Sequence, residues 1–258
     1  MNFETIYTQQ DGPVQTVTLA RPERRNALSL QLMRELTGCL EEIAANTSVQ
    51  AVIVAAEGKV FSSGHDLSEM TARTEADYRE IFEVCTTMME TLQRLPQPVI
   101  AQVQGLATAA GCQLVAACDL AVAGEQAAFA TPGVKIGLFC TTPMVPLSRA
   151  IGRKRALEML LTGRVVSAEE AAQWGLVNRV VGSAELAEAT RALADQVASA
   201  SSFTVSLGKQ AFYRQIDMDQ HQAYSYATQV MTGNAQADDA QEGISAFLQK
   251  RLPKWTGR

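Results

Sequence analysis

Gly105-Leu106-Ala107-Thr108-Ala109-Ala110-Gly111-Cys112-Gln113-Leu114 is the stretch on which the reading of this chain turns. Small residues fill it. The apolar run 99–103 before it reads as a strand, and the residues after it read as a short helix through Leu114 to Ala117. Backbone with almost no side chain at a strand-to-helix turn lets a ligand reach peptide N–H groups directly. A second turn of this kind, Phe61-Ser62-Ser63-Gly64-His65-Asp66-Leu67, follows the apolar strand 51–55. If both turns sit at carboxyl ends of neighbouring strands, each aims one N–H at a single carbonyl oxygen, the arrangement of an oxyanion hole. The same composition also suits turns that merely pack closely. The residues alone leave both readings open.

Composition narrows the field. At 258 residues, with 47% hydrophobic and 19% charged content, the chain reads as one large globular unit, with or without an appendage. A net charge of -5 argues against nucleic acid as a partner, because phosphate binding needs a basic face. No apolar run nears the roughly 20 residues of a membrane span. Residues 1–10 carry neither the basic and apolar regions of a secretory signal nor an Arg-rich presequence, so a cytoplasmic location is expected. The five cysteines, Cys39, Cys85, Cys112, Cys118 and Cys140, show no CxxC spacing, and His65 and His221 are the two histidines. No metal site is expected, and the thiols read as small buried groups in a reducing compartment.

The order of elements suggests the architecture. Residues 14–19 alternate as a strand, and Ser29 reads as the N-cap of a helix over 30–46. The continuous apolar run 51–55 reads as a strand covered on both faces. A helix over 75–95, burying Ile81, Phe82, Cys85, Met89 and Leu92, ends at Pro96 and Pro98. A strand over 120–123 follows the small-residue turn. Ser167-Ala168-Glu169-Glu170 reads as a capping box, with Gly175 as the stop after it and a last strand over 177–181. Helices over 183–200, 204–216, 220–232 and 239–251 complete the chain. Strand-helix units with a helical tail make an α/β fold, divided here into a core over 1–198 and a helical region over 199–258.

Several segments resemble the crotonase (enoyl-CoA hydratase/isomerase) superfamily, in family order. Arg21-Pro22-Glu23-Arg24-Arg25-Asn26-Ala27-Leu28-Ser29 resembles its RP…NAL segment, and 61–67 its FSAGxDL turn. Pro98-Val99-Ile100-Ala101, Cys118-Asp119-Leu120-Ala121, and Leu161-Thr162-Gly163-Arg164 with 168–177 continue the match. Gln113 within the Gly-Leu-Ala-Thr-Ala-Ala-Gly context is similar to the enoyl-CoA hydratase domain-containing subgroup. The resemblance implies a spiral of repeated ββα units with C-terminal helices that assemble trimers, often paired into hexamers. It implies an acyl-CoA thioester ligand, with coenzyme A as part of the substrate and no prosthetic group. By position, the oxyanion donors are the amides of His65 and Ala110; His65 serves through its backbone, so its imidazole is not required. Arg24, Ala27, Ser63, Asp66 and Leu67 are placed along the coenzyme, and Phe247 and Lys250 cover the nucleotide from the helical tail.

The departures matter as much. The family's hydratases use two glutamates, and their places here hold Gln113 and Gly133. Glutamine orients water but exchanges no proton near neutral pH, and glycine offers no side chain. General acid-base help is worth roughly 10²–10⁴-fold, so hydration is expected to be severely impaired. Lys135, Cys140, Thr141, Thr142 and Glu69 are the remaining polar candidates nearby. Decarboxylation or hydrolysis of an acyl-CoA, which leans on the oxyanion hole, and non-catalytic thioester binding stay open as alternatives. A serine hydrolase is disfavoured, since the chain has no GxSxG segment.

Overall fold

The computed structural model describes residues 3–258, so Met1 and Asn2 of the expected 1–198 core lie outside it. The large sheet holds β1 (Ile6–Asp11), β2 (Val14–Leu19), β3 (Ala51–Ala56), β5 (Val99–Val103), β7 (Leu120–Gly124) and β10 (Arg179–Val181), in the order β1-β2-β3-β5-β7-β10. Only the β1–β2 hairpin is antiparallel in it. The run at 51–55 is apolar throughout because both faces of β3 are covered. Val52 and Val54 face the main core, and Ala51, Ile53 and Ala55 face a second cluster with Leu186, Leu193 and Ala194. Those last three lie on α7 (Leu186–Ala198).

A second sheet of three-residue strands was not foreseen. It runs β4 (Val60–Ser62), β6 (Leu106–Thr108), β8 (Ala128–Ala130) and β9 (Val165–Ser167) in that order. Three residues are too few to show a period of two, and β4 and β6 sit inside the stretches read as turns. Three successive passes through the large sheet, β3, β5 and β7, continue into this small one and then into a helix. β3 and β4 lead to α2 (Glu75–Arg94), and β5 and β6 lead to α3 (Ala110–Ala117). That repetition is the ββα spiral the resemblance implies.

The helices follow their caps. Ser29 Oγ accepts from the Leu32 amide at the head of α1 (Leu30–Ala44), whose Leu32, Leu36, Leu40 and Ile43 are buried. Thr74 and Asp77 form a full capping box on α2. The expected box at Ser167 is only half formed on α6 (Ala168–Trp174). Ser167 Oγ accepts from the Glu170 amide, but the Glu170 carboxylate turns to the Arg164 guanidinium at 2.5 and 2.9 Å. An ion pair outcompetes a neutral amide for that carboxylate. Phe82 departs from expectation too: it is only half-buried, on a face of α2 that lines the cavity described below. After α4 (Met144–Ile151), α5 (Arg153–Thr162) and α7 come α8 (Ser202–Gln215), α9 (Gln220–Ala235) and α10 (Asp238–Leu248). No helix among the described residues is long and apolar enough to cross a membrane.

Candidate functional site

Three turns meet at one end of the small sheet. β4, β6 and β8 are parallel neighbours, so the segments leaving them at Ser63, Ala109 and Thr131 emerge side by side. Asn26 ties the first turn down: its side-chain amide donates to the Glu57 and Val60 carbonyls at 2.8 Å each, and its oxygen accepts from the Arg21 amide at 2.9 Å. Ser62 Oγ donates to the Asn26 carbonyl at 2.9 Å. Nothing in the sequence reading singled out Asn26, although its place between Arg21 and Ala27 in the NAL segment was the available signal.

The glycines set the spacing. Gly64 has φ +87°, and a Cβ there would stand 2.8 Å from Ala109 Cβ and 3.2 Å from the Ala110 amide nitrogen. The two turns are therefore in contact, with only a hydrogen's width of side chain between them. Ala109 itself has φ 51° and ψ -121°, a conformation non-glycine residues rarely adopt. Its N–H donates to the Ala130 carbonyl at 2.9 Å, which holds the strained residue at the head of α3.

This geometry frees two amides. His65 pairs with Leu28 as a parallel bridge, in which Leu28 donates to Gly64 O at 2.8 Å and accepts from the Asp66 N–H at 3.2 Å. The N–H of His65 consequently faces away from Leu28. Ala110 is the first residue of α3, where an N–H has no carbonyl four residues back to donate to. Among the described residues, neither amide has a hydrogen-bond partner. The positive end of the α3 dipole lies on the same side.

Beside them is a cavity of about 410 Å³. Ser63, His65, Leu67, Ala110 and Gly133 line it, as do Phe82, Met70, Ile136, Leu138 and Phe139, which the sequence did not suggest. Lining by residues from four separate segments is a tertiary property, so no local pattern marks it. No Asp or Glu lines the cavity. Of the polar candidates, Lys135, Cys140, Thr141 and Thr142 line it. Glu69 does not; its carboxylate accepts from the Leu30 amide at 2.9 Å, at the N-terminus of α1. Burial pushes the Cys140 thiol above its ordinary range, which leaves it a poor nucleophile.

Gln113 and Gly133, the two positions expected to stand in place of glutamates, sit in different surroundings. Gln113 is 4% exposed, does not line the cavity, and its Oε1 has no hydrogen-bond partner. At Gly133 a Cβ would lie 2.0 Å from the Leu138 carbonyl oxygen and 2.8 Å from Cys140 Sγ. The segment 138–140 occupies the space any side chain would need. A side chain of any size at Gly133 would require that segment to move.

The remaining expected residues are spread more widely. Asp66 accepts from the Ser68 hydroxyl at 2.6 Å and from Arg21 Nη2 at 3.3 Å, with Arg24 Nη2 at 3.7 Å. Burial works to raise its carboxyl, but the Ser68 and Arg21 bonds and the Arg24 charge hold it below its ordinary value. Arg24 also donates to Ser68 Oγ at 3.2 Å, and the Ala27 carbonyl accepts from Arg21 Nη1 at 2.9 Å. These residues sit beside the first turn rather than in the cavity wall. Phe247, 83% exposed on α10, and Lys250 beyond it do not line the cavity of their own chain.

Fold, site and sequence together place the chain in the enoyl-CoA hydratase/isomerase family, whose family model matches residues 9–258. The enoyl-CoA hydratase domain-containing protein 3, mitochondrial, of Rattus norvegicus is 49% identical over 253 residues, covering 98% of this chain and 84% of the relative. Among solved structures, a human enoyl coenzyme A hydratase domain-containing protein 3 is 48% identical with a TM-score of 0.95, covering 98% of this chain and 100% of the other. An enoyl-CoA hydratase of Mycobacterium smegmatis is 48% identical with a TM-score of 0.96, covering 98% and 99%. The cytoplasmic expectation is corrected by these comparisons: the rat, mouse and human relatives are named mitochondrial. Absence of a recognisable presequence in residues 1–10 was too weak a basis for it.

Proposed function

We propose that this protein binds an acyl-CoA thioester and holds its carbonyl oxygen between the amides of His65 and Ala110, without the two-carboxylate chemistry of hydration. The observation that carries the reading is the pair of unpartnered amides on touching turns, opening on an apolar cavity that no carboxylate lines. One such donor elsewhere stabilises a developing oxyanion by about 2.7–4 kcal/mol. Arg24, Ala27, Ser63, Asp66 and Leu67, grouped on and beside the first turn, are where the coenzyme arm would run. Enolate-forming chemistry on acyl-CoA of the kind used in fatty acid metabolism fits this set. Exposed Phe247, Leu248 and Leu252 support assembly into trimers or hexamers through the helical tail. In such an assembly Phe247 and Lys250 would meet a nucleotide bound by another copy.

A second reading, a thioester binder that performs no chemistry, draws support from the backbone-filled position at Gly133. Calorimetric titration with butyryl-CoA and a hydration assay on crotonyl-CoA test the proposal. Binding heat without appreciable hydration is the expected result. No heat, or hydration at the rate of a competent hydratase, overturns it.

A further inference from the structure

His65 has a side chain that the oxyanion role leaves unused. Its own N–H is one of the two donors proposed above, so the imidazole is carried by a residue of the oxyanion pair, and His65 lines the cavity. Nε2 is sealed from solvent without a partner, while the ring meets Phe82 edge-to-face with centroids 5.6 Å apart at 84°. Of the two ring nitrogens Nε2 is the sealed one; Nδ1 is not sealed and, among the described residues, has no hydrogen-bond partner. We propose that this imidazole is the base that removes a proton from the carbon adjacent to the thioester carbonyl and returns it to the same acyl chain.

The inference rests on the thioester reading above. In the forward step the α C–H bond breaks and its electron pair passes into an enolate whose oxygen the two amides hold. The proton forms a new N–H bond on Nδ1. Return to the α-carbon restores the substrate. With a 3-enoyl thioester, return to the γ-carbon yields the 2-enoyl isomer, so no oxidant or second reactant is consumed.

Other groups around the cavity do not serve. Lys135 is exposed, and its Cε and Cδ would stand 3.1 and 3.4 Å from a Cβ on Gly163, so its stem runs along that backbone. Cys140 is held protonated by burial. Asp66, next to His65 in sequence, is committed to Ser68 and Arg21. Burial alone pulls the imidazole down to about 4, with no ion acting on it. That is the basicity of an ordinary carboxylate without its charge, and a neutral base is far cheaper to desolvate in an apolar cavity.

The test is deuterium exchange at the α-carbon of butyryl-CoA in heavy water, followed by NMR. The wild-type protein exchanges, and the rate falls as pH drops toward about 4, where the imidazole becomes protonated. His65→Ala and His65→Gln lose about 10²-fold or more of the rate, while calorimetry shows butyryl-CoA still bound. Free imidazole restores exchange in His65→Ala, which a merely structural role would not allow; should that variant not fold, His65→Gln carries the comparison. Exchange by both variants within about twofold of wild type overturns the proposal. So does a wild-type protein that binds butyryl-CoA but exchanges nothing, an outcome that leaves the thioester reading standing. Failure of the wild type to bind butyryl-CoA removes that reading itself.

Discussion

Two buried polar regions lie at opposite ends of α3, one at its first residue Ala110 and one at Asp119 just past its last, and they are built on opposite terms. Past the C-terminal end of the helix, Lys209 of α8 donates to Asp119 Oδ2 at 2.7 Å and to the Leu92 and Gln97 carbonyls at 2.7 and 2.9 Å. Asp119 also accepts from the Val99 amide at 2.6 Å and the Tyr213 hydroxyl at 2.8 Å. Burial raises the Asp119 carboxyl and lowers the Lys209 ammonium, and each charge opposes the shift of the other. Every charge there has its partners. At the cavity, the His65 and Ala110 amides, His65 Nε2 and Thr108 Oγ1 have none, and nearby on α3 neither has Gln113 Oε1. A group with all its bonds made holds the tail on the core; a group left wanting bonds is available to a ligand. The difference separates a structural polar cluster from a candidate site.

Removing one member of the satisfied cluster gives the largest expected effect. Lys209→Met leaves Asp119 buried beside unpaired carbonyls and should cost about 3–5 kcal/mol in chemical denaturation. An unchanged denaturation midpoint would show that the cluster is not what anchors α8.

At the unsatisfied end, Gly64→Ala forces a methyl against Ala109 Cβ at 2.8 Å and meets a φ of +87°. It should cost about 1–3 kcal/mol and push the two amides apart. Butyryl-CoA binding, read by calorimetry, should weaken more than stability does. Equal binding by the variant would break the pairing of the two turns.

A third effect is smaller and appears only in acid. Asp239 accepts from Ser201 Oγ at 2.6 Å, Thr256 N–H at 2.6 Å and Gly257 N–H at 3.0 Å, tying the C-terminal residues to α10. Burial works to raise its carboxyl, but these bonds pull it from 3.8 down to about 2. A depressed folded value means stability that is full above the unfolded value and lost as pH falls between them. Thermal melts should therefore drop as pH goes from about 4 to about 2, and Asp239→Asn should flatten that slope.

The smallest change carries the opposite sign. Gln113→Met removes a buried acceptor that has no partner and should raise stability by about 1 kcal/mol, seen as a higher melting temperature. A loss instead would mean that the Gln113 amide is structurally engaged.

The sequence by itself determined the long elements and the small residues of the turns. Helices such as α1 and α2 carry enough periodic positions and caps to be read locally, and Gly64 and Gly111 announce a close approach of backbone. It also placed Gln113 and Gly133, neither of which can exchange a proton through its side chain, in the segments that meet at or beside the cavity. Tertiary structure alone decided the rest. The three-residue strands β4, β6 and β8 have no local signature; they exist because each pairs with a neighbour more than twenty positions away. That pairing is what sets Ala110 against Gly64, brings Phe82, Leu138 and Phe139 around one cavity, and fills the space at Gly133 with the backbone of 138–140. Spacing along a chain can name the residues of a turn, but only pairing across strands makes their N–H groups converge.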